Sequence, residues 1–349
     1  AMRERNWKHK TGYTYGLHGT PTTFLLEERI ATLEGGLQCV LVPSGLAAVA
    51  VVDLALLSPG DEVLLPANVY GPSRELARHE LARWGIRHRL YDPMDAAALD
   101  AMITPATRLV WLEAPGSVTM EFPDLGALVR VAKARGVTTA LDNTWGAGLA
   151  LRGFEHGIDI VMQALTKYPS GGGDVLMGSV VTRDPALHEK LKLTHMHLGL
   201  GVAANDAELV LRGLATLDVR YAAQDAAGRQ LARFLGAQKE VVQVLHPALE
   251  GAPGHAHWAA HCTRAAGLFS VMFDERFSLA QVHAFVDGLK LFRIGYSWAG
   301  PVSLVVPYDL AAMREPGHGL RGHLVRFSLG LESVQDLQAD LAQSLARAF

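Results

Sequence analysis

The chain has 349 residues, 49% of them hydrophobic and 19% charged, with a formal net charge of −3. That length points to about two domains with ample apolar surface to bury. A near-neutral charge without a basic block gives nucleic acid or an anionic membrane no electrostatic hold. Two cysteines, Cys39 and Cys262, make no disulfide framework.

Residues 1–19 are polar and without periodicity, so this arm is expected to lie on something else, such as a neighbouring subunit. It carries no apolar signal-peptide core, which points to a cytoplasmic protein. Cys39–Pro43 reads as a strand and Gly45–Leu57 as a helix, closed by the turn signal Ser58-Pro59-Gly60-Asp61. That helix is the longest apolar region, but it contains Asp53 and is too short to span a bilayer. Glu62–Pro66 is strand-like and Ser73–Trp84 a charged amphipathic helix. Strand Arg108–Leu112, helix Leu125–Arg135 and strand Val137–Leu141 follow, then strands Ile158–Ala164 and Val175–Val181. Strands alternating with helices predict a mostly parallel sheet covered on both faces. Beyond about Arg183 the pattern changes. Ala203–Leu217 and Ala222–Leu235 read as long helices. Strands Leu268–Phe273 and Leu324–Leu329 mix with helices Leu279–Gly288 and Val334–Phe349, as in a smaller α/β domain.

In open parallel sheets, ligands sit at the carboxyl ends of strands, and the chemically able residues here fall at such ends. Ser44-Gly45-Leu46 opens a helix, where backbone N–H groups hold a phosphate or simply start a capped helix. Tyr70 at a strand exit is a surface on which a flat ring can stack, or an ordinary half-buried tyrosine. Asp142 is a partner for a pyridine nitrogen, or a helix cap. Lys167 is a Schiff-base amine, or a solvated lysine. Arg326 in the apolar run Leu324-Val325-Arg326-Phe327 is a clamp for a substrate carboxylate, or half of a structural ion pair. A carboxylate at one strand end and a lysine at the next is what pyridoxal 5′-phosphate (PLP) chemistry requires.

From about Tyr13 onward, this order of residues resembles the Cys/Met-metabolism family of PLP enzymes, which have the aspartate-aminotransferase-type fold. Tyr15-Gly16-Leu17-His18-Gly19-Thr20, Leu33-Glu34-Gly35-Gly36, Asp142-Asn143-Thr144 and Thr166-Lys167-Tyr168 are general to the family. Three stretches lean towards its β-lyases: Glu113-Ala114-Pro115-Gly116-Ser117-Val118-Thr119-Met120, Asp142-Asn143-Thr144-Trp145 and Tyr296-Ser297-Trp298-Ala299-Gly300. The resemblance implies a fold-type-I α/β protein with an arm over 1–19, a PLP-binding domain over 20–213 and a C-terminal domain over 214–349. It implies that Lys167 carries PLP, that Ser44, Gly45, Leu46 and Thr166 cradle the phosphate, and that Tyr70 stacks on the ring while Asp142 pairs with its nitrogen. By the same resemblance, Tyr15 reaches a neighbouring subunit's phosphate. Arg326 and Ser297 hold the substrate carboxylate, with Trp298 beside them. Leu17 stands where many relatives have Arg, and Gly171-Gly172-Gly173-Asp174 where they read Gly-His-Ser-Asp. The second change is expected to loosen the loop after Lys167.

The implied reaction is β-elimination of L-cystathionine to homocysteine, pyruvate and ammonia, with cystine or cysteine as further substrates. Lys167 and Tyr70 are then the catalytic pair, and the assembly a homotetramer of dimers with shared sites. The alternatives are γ-elimination or γ-replacement on the same scaffold, and a non-catalytic PLP-binding regulator. His255, His257 and His261 are not expected to bind metal, since no carboxylate or cysteine completes a set. His195 and His197 are read as helix-surface residues.

Overall fold

The computed structural model describes residues 6, 7, 10–314 and 319–349, and its strands form two sheets. The first has seven strands: β1 (Gln38–Val42), β2 (Glu62–Pro66), β3 (Arg87–Tyr91), β4 (Thr107–Glu113), β5 (Thr138–Asp142), β6 (Ile160–Ala164) and β7 (Gly178–Thr182). Their order is β1-β7-β6-β5-β4-β2-β3. Only β7 runs against its neighbours β1 and β6; the other pairs are parallel. The second sheet contains β8 (Val241–Leu245), β9 (Leu268–Phe273), β10 (Arg293–Ile294), β11 (Leu304–Tyr308) and β12 (His323–Ser328), in the order β10-β11-β12-β9-β8.

The apolar runs of the first sheet are continuous because both faces are covered. Along β4, Val110 and Leu112 enter one core while Leu109 and Trp111 enter the other. This is the period-two alternation of a strand between two helical layers. Helix α1 (Pro21–Glu34) and helix α2 (Gly45–Leu56) pack on this sheet. In α2, Asp53 is buried among valines, where its carboxylate accepts a hydrogen bond from Trp111 Nε1 at 2.8 Å. Among the described residues, no helix is long and apolar enough to cross a membrane.

Several elements differ from expectation. α1 was not read, although Thr20 caps it, Pro21 opens it and Gly35 ends it in the left-handed conformation. Its polar first turn and weak periodicity hide it. The edge strand β3 was missed because Arg87-His88-Arg89 does not look like a sheet segment. The helix expected at Ser73 begins at Gly71. It runs as α3 (Gly71–Glu75) and continues as a π-helical stretch over Leu76–Leu81. The long helix expected to end at Leu217 stops at Leu214, and Leu217 starts the next, Leu217–Gly236. His195 is corrected from a surface residue to a buried one. The helix Pro185–His197 packs against β1, and burial pushes the His195 ring down to about 4. His197 is exposed.

Of the arm, residues 1–5, 8 and 9 lie outside the described residues. Within the described part, Tyr13 stacks on Phe24, and Trp7 and Tyr15 pack on His18.

Candidate active site

The functional groups gather because the parallel strands of the first sheet end on one side. After β1 the chain turns through Ser44 into α2. Ser44 Oγ accepts from Ala47 N at 3.0 Å and so starts the helix. The next residue must be glycine: a Cβ on Gly45 would stand 2.6 Å from Ala164 Cβ. The helix mouth therefore rests directly on the end of β6. The Gly45 and Leu46 N–H groups, in the first turn, find no acceptor among the described residues.

Tyr70, beyond β2, is half-exposed, and its backbone N–H donates to Glu113 Oε2 at 2.8 Å. Burial raises the Tyr70 hydroxyl, with Asp142 and Glu113 adding to the effect. Glu113 ends β4 directly opposite Asp142, which ends β5. Asp142 Oδ1 accepts from Thr144 N at 2.9 Å and Thr144 Oγ1 at 2.5 Å. Its Oδ2 takes no hydrogen bond from a described residue. Loss of solvent raises the Asp142 carboxyl, opposed by Thr144 and by the Lys167 cation.

Lys167 lies three residues past β6. Its amine donates to Ser297 Oγ at 2.8 Å and stands 5.3 Å from the Trp298 ring centre. Burial first, then the Arg326 cation, lowers this amine to about 8, against an opposing pull from Asp142. Thr166 beside it exchanges hydrogen bonds with Met177, which tie the turn to the sheet.

The second sheet supplies Arg326, buried on β12 opposite Val306 and Ser270. Its Nη2 donates to the carbonyls of Tyr296 at 2.7 Å and Ser297 at 3.3 Å, and its guanidinium lies 5.3 Å from the Tyr308 ring centre. Its Nε is buried without a partner, and among the described residues it forms no ion pair. A structural salt bridge, one reading of this arginine, is therefore not what holds it.

One cavity of about 520 Å³ collects these groups: Ser44, Gly45, Leu46, Tyr70, Asp142, Thr166, Lys167, Trp298 and Arg326 all line it. Ser297 meets it through Lys167, and Tyr15 lies outside it, two-thirds exposed. Glu113, Arg74 and Arg314 also line it and were not singled out as site residues from sequence. Glu113 carried one signal, its place at the end of a strand next to that of Asp142.

Gly171 sits at φ +67°, and a Cβ there would meet the Arg220 guanidinium at 2.1 Å. Arg220 in turn donates to Tyr168 O and Gly213 O, so the turn after Lys167 is braced.

A helix mouth with free N–H groups, an aromatic face, an unspent carboxylate oxygen and an amine of lowered basicity fit a phosphorylated pyridine aldehyde. Fold and site together define a PLP-dependent enzyme. The family described as Cys/Met metabolism PLP-dependent enzyme matches residues 1–346, and the chain belongs to it. A cystathionine β-lyase of Bordetella avium is 42% identical, covering 96% of this chain and 84% of that protein. One of Salmonella typhimurium is 38% identical, covering 95% and 86%. A cystathionine γ-synthase structure from Xanthomonas oryzae pv. oryzae superposes with a TM-score of 0.91 at 34% identity, covering 97% of this chain and 89% of that one.

Proposed function

We propose that the chain is a carbon–sulfur lyase that performs β-elimination on L-cystathionine, giving homocysteine, pyruvate and ammonia, and that it also accepts cystine or cysteine. The observation that carries this reading is the meeting of Lys167, Asp142 and Arg326 in one cavity, in a chain with cystathionine β-lyases as near full-length relatives. Ser44, Gly45, Leu46 and Thr166 would hold the cofactor's phosphate, Tyr70 its ring face, Asp142 its ring nitrogen and Lys167 its aldehyde carbon. When bound, PLP supplies a sink for the electron pair left at Cα.

Arg326 binds the substrate α-carboxylate. Its guanidinium is held in place by Tyr296 O and Ser297 O, and its Nε is left for the ligand. Lys167 removes the Cα proton. With a pKa of about 8 it is neutral in a useful fraction near pH 7, yet basic enough to take a proton. Ser297 Oγ orients that amine, and Trp298 shields it from one side. The departing sulfur takes its proton from Lys167 or from Tyr70, whose raised pKa keeps the hydroxyl protonated.

The same reading divides the chain into the arm, a PLP-binding domain over 20–213 and a C-terminal domain over 214–349. It makes Tyr15 part of a neighbouring subunit's site in a cytoplasmic homotetramer, supported by the side chain's exposure away from its own cavity. The deciding experiment is a product assay on L-cystathionine, cystine and cysteine with added PLP. Pyruvate from cystathionine is expected; 2-oxobutyrate would move the chain to the γ-eliminating branch.

A further inference from the structure

Two guanidinium groups in the same cavity remain unused. Arg74 lies on α3, and Arg314 follows the short helix Leu310–Met313. Their Nη1 atoms donate to one and the same acceptor, the Met313 carbonyl oxygen, at 3.1 Å from Arg74 and 3.2 Å from Arg314. Two cations are thus held no further apart than two hydrogen bonds to one neutral atom.

Their other contacts offset this charge only in part. Arg74 Nη2 reaches Ala312 O at 3.4 Å, and its Nε is 3.7 Å from the adjacent, half-exposed Glu75 carboxylate. Arg314 Nη2 donates to Ser117 O and Thr119 Oγ1, both at 2.6 Å. Arg314 Nε is buried with no partner, and among the described residues Arg314 has no ion pair. Burial lowers the Arg314 guanidinium; Glu121 and then Glu113 act against this, and Arg74 adds a smaller downward push. With no carboxylate of the described residues in direct contact with Arg314 and one buried N–H unpartnered, the pair presents donors to the cavity that a ligand anion can satisfy.

The anions already assigned to this cavity do not go there. The cofactor phosphate belongs at the mouth of α2, and the α-carboxylate belongs on Arg326. Cystathionine has one further anionic group, the carboxylate of its homocysteine half. We propose that Arg74 and Arg314 form a second carboxylate site, which takes the distal carboxylate of a sulfur amino acid carrying two. This rests on the carbon–sulfur lyase reading and narrows it. The chain favours substrates with a distal carboxylate, such as cystathionine and cystine, over cysteine or its S-alkyl derivatives.

The test compares L-cystathionine with S-ethyl-L-cysteine in the holoenzyme and in Arg74→Gln and Arg314→Gln. The readout is the ratio of the two kcat/KM values, with all 2-oxo acid counted as product. Loss of one charge-assisted contact is expected to lower that ratio about tenfold or more, mainly through the KM for cystathionine. Arg74→Lys should recover part of the loss. A ratio that stays the same, because both substrates suffer equally or neither does, would overturn the proposal and leave the two arginines as a structural tie. Stopped-flow absorption of the holoenzyme with each amino acid gives the same affinity ratio without counting product. The identity of the 2-oxo acid tests the lyase reading separately, so the two ideas fail independently.

Discussion

Lys167 carries the most quantitative expectation. In the apoprotein its amine is held at a pKa of about 8, against an ordinary 10.5. A gap of roughly 2.5 units makes it neutral in about a tenth of molecules at pH 7, some three-hundredfold more often than a surface lysine. Trace labelling of the apoprotein with acetic anhydride, followed peptide by peptide with pH, reads this directly. The same Lys167 peptide, labelled in the denatured protein, serves as the internal reference. Two substitutions then separate the causes. Arg326→Gln removes a cation that disfavours protonation, so the Lys167 midpoint should rise. Asp142→Asn removes an anion that favours it, so the midpoint should fall. A Lys167 midpoint unchanged between the folded and denatured protein would refute the argument that burial dominates. Movement of both variants in the same direction would refute the assignment of the two neighbouring charges.

Three further outcomes are expected. Lys167→Ala, reconstituted with PLP, should lack the absorption band of the covalently held cofactor; persistence of that band would mean that another lysine carries it. Gly171→Ala should lose about 1–3 kcal/mol in denaturant unfolding, because a Cβ at φ +67° is strained and strikes Arg220; an unchanged midpoint would show that the turn can move aside. Asp53 has its carboxyl raised from 3.8 to about 7 by burial, which only the Trp111 hydrogen bond opposes. Such a group stabilises the fold when protonated, so its contribution is complete at acid pH and is lost as pH rises through about 7. The full shift corresponds to about 4 kcal/mol as an upper bound. Asp53→Asn should therefore flatten the fall in unfolding free energy between about pH 4 and about pH 7, and an undiminished slope would place the dependence elsewhere.

What the sequence could and could not reveal follows from which interactions are local. Ser44, Tyr70, Asp142 and Lys167 were legible because each follows an apolar strand, and a parallel sheet brings such ends together whatever lies between them. Arg326 stood out as a lone charge in an apolar strand. Glu113 did not, because its meaning depends on register: only pairing β4 with β5 sets it opposite Asp142. Arg74 was one charge among several on a charged helix, and Arg314 followed a segment with no strong pattern. More than two hundred positions separate them along the chain, and no local rule joins them to one carbonyl oxygen. His195 misled for the same reason, since the helix bearing it buries a polar face against β1. Nor could the sequence show that Arg220, about fifty positions on, would donate to Tyr168 O just ahead of the glycines at 171–173.

The register of β4 and β5 also decides how charge is shared at the site. Two carboxylates, Glu113 and Asp142, end adjacent strands at paired positions, and two negative charges there would repel. Enclosure and that repulsion push Glu113 far up, with only partial relief from the Tyr70 N–H, Ser117 and Arg314. Asp142 receives both donors of Thr144 and faces the Lys167 cation, so its rise is contained. Glu113 is therefore the carboxyl pushed harder towards the protonated form, and Asp142 the one better placed to carry charge beside Lys167. Neutral isosteres test this division. Glu113→Gln puts in place of the carboxyl an amide that can still accept from Tyr70 N, and should change kcat/KM at neutral pH by no more than about threefold. Asp142→Asn deletes the working charge and should cost about a hundredfold or more. Equal losses in the two variants would mean that the charge is shared between the strand ends.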